Sequence, residues 1–128
     1  MNQFVIMAGE GRYLLEACIS LTSGGISVYL YGGDYPHIGS VVLAQPRLSI
    51  TGSGTSCTSS VINLCGHKEE AFAREMAEKL CIYCNLPVCV CAGIHIDDAG
   101  PEDIVCLTDV FHELSDSAAR KIGIYFDL

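Results

Sequence analysis

Three of the four histidines in this chain sit in glycine-bearing loops: Gly33-Asp34-Tyr35-Pro36-His37-Ile38-Gly39, Gly66-His67-Lys68 and Gly93-Ile94-His95-Ile96-Asp97-Asp98. Histidine supplies a donor, an acceptor or a metal ligand near neutral pH, and glycine lets backbone approach a ligand closely. Taken singly each loop is a weak signal, because a loop histidine more often caps a turn and bonds a carbonyl. Each loop, however, adjoins a strand-like segment. The three can therefore converge at neighbouring strand ends, where open sheets tend to hold ligands.

Other chemistry is less well supported. Gly66-His67-Lys68 at a helix start could hold an anion, but Glu69 and Glu70 already suit the positive end of the helix and oppose strong phosphate affinity. The Gly52 to Ser56 stretch could add donors, although such loops are more often simply flexible. Cys81, Cys84, Cys89 and Cys91 are numerous enough for a zinc or iron–sulfur site; as small buried hydrophobes in a helix stripe and a strand they need none. No Gly-x-Ser-x-Gly elbow is present. A metal-assisted enzyme built on Asp34, His37, His67, His95 and Asp97 stays open on ligand type alone.

The elements that would position these loops follow from patterning. Gln3 to Met7, Tyr13 to Thr22, Ile26 to Tyr31 and Val41 to Ala44 read as strands of an antiparallel meander, and a short strand is expected near Ser59 to Leu64. The third and fourth are almost wholly apolar, which predicts coverage on both faces. A helix opening at Gly66 to Glu70 should bury Phe72, Ala73, Met76, Ala77, Leu80 and Cys84, with Glu70/Arg74 and Glu75/Lys79 as i,i+4 pairs. Val88 to Ile94 is a buried strand, and Gly93 to Gly100 is the loop that leaves it. Pro101 to Ser115 is a second helix, on the spacing of Ile104, Leu107, Phe111 and Leu114. Lys121 to Asp127 reads as an added edge strand. Together these predict one α+β domain over residues 1–128, a mostly antiparallel sheet with two main helices. The apolar face such a half-covered sheet leaves open predicts a homodimer.

Composition narrows the function classes. The formal charge of −8, from seven Lys and Arg against fifteen Asp and Glu, argues against nucleic acid. No signal-like start and no membrane-length apolar run is seen, so a cytoplasmic protein with eight reduced cysteines is expected.

The loop motifs, with Gly32 preceding the first and Glu69-Glu70 leading on to Ala73-Arg74 after the second, resemble the LpdD-like prenylated-flavin chaperones. These small proteins are associated with UbiD-type hydroxyarylic acid decarboxylases and related to the proteasome-assembly-chaperone fold. The resemblance runs from about Ile26 to Leu114; the cysteines at 81 to 91 and the tail after Ser115 have no counterpart in it. It implies a non-catalytic accessory protein that helps prenylated FMN reach, or mature within, a partner decarboxylase. It also implies that Gly33, Asp34, His37, Gly39, Gly66, His67, Lys68, His95 and Asp97 form the cofactor-binding loops. An assembly chaperone acting only through protein contacts is a third reading.

Overall fold

Leu15, Ala17, Ile19 and Leu21 are fully buried while the residues between them are not, and the same alternation runs through Ile26, Val28 and Leu30 and through Val88, Val90 and Ala92. Period-two burial of this kind means that a sheet is covered on one face only. The computed structural model, which describes residues 2–64 and 69–128, realises that sheet with six strands. They are β1 (Asn2–Ala8), β2 (Leu15–Thr22), β3 (Gly25–Gly33), β4 (Ser40–Leu48), β5 (Thr55–Asn63) and β6 (Val88–His95). Two helices, α1 (Glu70–Cys84) and α2 (Pro101–Tyr125), and a 3₁₀ turn at Gly11–Tyr13 complete the elements of the described residues. The fold is α+β.

The spatial order β1-β2-β3-β6-β4-β5 corrects the expected four-strand meander. β1, β2 and β3 are antiparallel neighbours, but β6 lies between β3 and β4, parallel to the former and antiparallel to the latter. A parallel neighbour needs a crossover, which α1 provides. β6, with Val88, Val90, Ala92 and Ile94 all buried, takes the centre that its apolar run favours. The expected coverage of β3 and β4 on both faces is likewise corrected. Tyr29 and Tyr31 are only partly buried and Leu43 is exposed on the face opposite the helices, alongside Val5, Met7 and Ile62.

The helices cover the other face. α1 buries Ala73, Met76, Ala77, Leu80 and Cys81 against β4, β6 and β5, while the expected Phe72 and Cys84 are half-buried at its margins. It ends at Asn85, whose left-handed φ of 54° suits a helix terminus. The expected Glu70/Arg74 pair forms at 2.8 Å. Glu75 and Lys79 pair instead with α2, through His112 (3.0 Å) and Asp116 (2.5 Å).

α2 corrects the reading of the tail as a strand. Leu107, Phe111, Leu114, Ala118 and Ile122 are buried in one stripe, so helical spacing continues ten residues past the predicted end at Ser115. Strand boundaries also move, among them the end of β4, which runs to Leu48 rather than Ala44. The predicted strand start at Tyr13 is the 3₁₀ turn, β5 begins at Thr55 rather than near Ser59, and β6 continues to His95. No helix among the described residues is long and apolar enough to cross a membrane.

Candidate ligand-binding site at the strand ends

The parallel pairing of β3 with β6 brings the first and third histidine loops together, because Gly33 lies beside His95 in the register. Two glycines make the approach possible. A Cβ built on Gly33, at φ +80°, would overlap the His95 carbonyl oxygen, and one on Gly93 would overlap that of His37. The Asp34 N–H donates to the His95 carbonyl (2.7 Å), the His37 N–H to that of Gly93 (3.4 Å) and the Gly39 N–H to that of Ala92 (2.9 Å). The segment from Gly33 to Gly39 is thereby laid along the end of β6.

Side chains complete the joint. Asp34 Oδ2 accepts from Arg12 Nη2 (2.7 Å) and from the Asp97 N–H (2.9 Å), and Arg12 also donates to the Asp97 carbonyl (3.0 Å). The Arg12 guanidinium, aided by the Asp97 amide, holds the Asp34 carboxyl below its ordinary range. His95 Nε2 lies 3.0 Å from Asp97 Oδ1 with both side chains at the surface. Tyr13 donates to Asp103, which also accepts the Gly100 N–H (2.8 Å) at the start of α2; the tyrosine bond lowers the Asp103 carboxyl and raises Tyr13.

His37 has a different setting. Its Nδ1 donates to the Tyr35 carbonyl (2.9 Å), and Nε2 lies 2.8 Å from Glu69 Oε1, with both side chains about nine-tenths buried. Glu69 Oε1 also accepts the Ile94 N–H (3.3 Å), at the edge of β6 that β4 leaves unpaired beyond Ala92. The start of α1 is tied to the sheet a second time, by Ser40 to Asn63 (2.6 Å) and Asn63 to Glu70 (2.6 Å).

Beside this joint lies a cavity of about 780 Å³ between the start of α1, the end of β6 and the first turns of α2. Phe72, Ile94, Ile96, Ile104 and Leu107 supply apolar wall, and Glu69, His95, Asp98 and Thr108 the polar positions. Ile104, the first residue of the spacing that predicted α2, is half exposed where it lines the cavity.

Of the residues proposed from sequence, Gly33, Asp34, His37, Gly39, His95 and Asp97 meet at this joint. Gly66, His67 and Lys68 lie outside the described residues. Among the described residues no group of three or more His, Cys, Asp and Glu side chains is arranged to hold a metal ion. Cys89 and Cys91 point to the open face, away from Cys81, which is buried on the helix side with its thiol pushed up to about 11 by burial. Arg12, Tyr13, Glu69 and Asp103 were missed as parts of the joint. Arg12 carried one faint signal, a cation directly after the glycine turn Gly9-Glu10-Gly11.

The family model described as "Prenylated flavin chaperone LpdD-like domain" matches residues 9–123. No curated protein matches the chain. A solved structure entitled "Crystal Structure of a Novel Chaperone Complex for Yeast 20S Proteasome Assembly" is similar with a TM-score of 0.55 and 16% identity, covering 90% of this chain and 95% of that one. A likeness at that identity is one of fold.

Proposed function

The chain belongs to the family of LpdD-like prenylated flavin chaperone domains, and on that premise we propose that it binds prenylated FMN and delivers it to a UbiD-type decarboxylase without catalysing a reaction itself. The observation that carries this reading is the cavity beside the His37, His95 and Asp97 loops. At about 780 Å³ and with largely apolar walls it has the size and character of a site for a flat organic cofactor. The wall residues fit such a group: Phe72 and Ile104 offer surface for a ring and its hydrocarbon addition, and His95, paired with Asp97, a polar contact at the edge. Bound there, prenylated FMN would bring its decarboxylation chemistry to the partner. This chain's residues hold and shield it.

The second part of the proposal concerns the open face of the sheet. Val5, Met7, Leu43 and Ile62 are exposed there, Tyr29 and Tyr31 half-buried, and Glu16 is engaged by the Tyr31 hydroxyl (2.6 Å). Six strands of this length present about 650 Å², close to what each partner of a standard interface buries. A second copy is the occupant we infer, because a face poor in charge lets two chains of charge −8 approach with little repulsion.

The test is thermal unfolding with FMN and with prenylated FMN, for the parent and for His95→Ala and Asp97→Ala, whose side chains are exposed enough to remove without unfolding the chain. A rise in Tm with the prenylated cofactor that shrinks in both variants is expected. No rise with either flavin would refute the cofactor reading. Sedimentation of the parent and of Val5→Lys should show a dimer lost in the variant; a monomeric parent would refute the second part.

A further inference from the structure

We propose that the cavity takes the uncharged, prenyl-bearing ring system of the cofactor and leaves its phosphate outside, an orientation that rests on the cofactor reading above. The reason lies in the charges that face the cavity. Helix N-termini ordinarily attract phosphate, and two of them border this space. Both are already answered by the chain's own carboxylates. Asp103 accepts the Gly100 N–H at the head of α2, where Glu102 adds a second negative charge, and Glu69 and Glu70 stand at the head of α1. Glu69, 6% exposed, lines the cavity itself, as does Asp98. A phosphate dianion inside would meet the buried Glu69 carboxylate and that of Asp98 at short range.

Arg12, the cation of the neighbouring joint, is not part of the wall; its guanidinium is engaged by Asp34 and the Asp97 carbonyl. Among the described residues, the rest of the wall is largely apolar: Phe72, Ile94 and Ile96 on one side, and Ile104 and Leu107 of α2 on the other. The half-exposed Ile104 gives this surface an energetic reason to be covered. A fused ring carrying added hydrocarbon satisfies it, and a sugar phosphate does not. The ribityl chain then leaves past His95 and Asp98 towards solvent.

The experiment is a titration of the full chain with prenylated FMN and with the same compound after phosphatase treatment, followed by flavin fluorescence. Equal affinity within about threefold is expected, since charged hydrogen bonds to a bound phosphate would otherwise separate the two by about tenfold or more. Thr108→Trp fills the cavity from the surface of α2. It should weaken both forms by about tenfold or more, with the Tm of the ligand-free chain unchanged. Asp98→Lys should tighten the phosphorylated form selectively. Loss of more than about tenfold on dephosphorylation, or undiminished binding by Thr108→Trp, overturns the orientation.

If neither flavin binds, the cofactor reading fails by itself and the uncharged dye Nile red decides the cavity. Dye binding abolished by Thr108→Trp keeps the assignment of an uncharged apolar ligand. Absence of dye binding overturns it.

Discussion

The two ends of the sheet use the same residue type in opposite ways. At the site end, Gly33 and Gly93 stand where a Cβ would overlap a carbonyl oxygen of the neighbouring segment. At the far end, β4 pairs with β6 only over Ser40 to Ala44 but with β5 as far as Leu48, so the β4–β5 hairpin runs on beyond the sheet. There Gly52 and Gly54 have nothing within 4 Å, and Ile50 is 93% exposed. Glycine at the first end permits close backbone contact; at the second it serves only the turn. The site end is also cross-linked by Arg12, Asp34, Glu69 and His37, whereas the hairpin tip holds itself with short serine and threonine contacts. A glycine-rich loop is therefore not by itself a mobile one.

The contrast can be broken from its strongest point downward. Gly93→Ala should cost more than about 3 kcal/mol, because the backbone of His37 cannot yield without releasing the loop. Urea unfolding measures it, and a cost below about 1 kcal/mol would mean that the loop does not lie on β6 as described. Glu69→Ala removes the acceptor of the Ile94 N–H and the partner of His37, both in buried surroundings. A loss of about 3 kcal/mol is expected, with amide exchange at Ile94 accelerated.

Gly54→Ala sits in open space, so only its φ of +78° opposes a side chain. About 1 kcal/mol is expected, and hydrogen exchange at the site end should be unchanged.

The smallest effect concerns Asp34. Its carboxyl is held low in the folded chain, chiefly by Arg12, so between that lowered value and the ordinary one near 4 the unfolded chain binds more protons. The contribution is therefore present above about pH 4 and lost as pH falls through the folded value. Asp34→Asn should flatten the difference in urea midpoint between pH 7 and pH 3, by less than any of the three preceding substitutions changes stability because the group is exposed. An unchanged pH difference would show that the Arg12 contact is not maintained in solution.

Much of this architecture was legible. Alternation in Leu15 to Leu21, the stripe Leu107, Phe111 and Leu114, and Pro101 at the first turn of α2 all express local periodicity, which depends only on the chain's own geometry. The tail misled because Ile122 and Ile124 satisfy a strand's alternation as well as a helix's spacing; the seat of Ile122 in the core decides for the helix. The site was half visible. Glycine beside histidine and aspartate marked His37, His95 and Asp97, but Glu69 read as an ordinary helix-start acid and Arg12 as one surface cation among seven.

By itself the sequence determined the residue types at the loops, the helical and strand periods and the chain's acidity, since these are properties of neighbours along the chain. Strand order was decided by the tertiary structure alone. Inserting β6 between β3 and β4 is a choice among distant apolar segments, made by which one fills the centre beneath α1. From that choice follow the meeting of His37 with Glu69, of Asp34 with the Asp97 N–H, and the cavity itself, because each joins segments more than twenty residues apart.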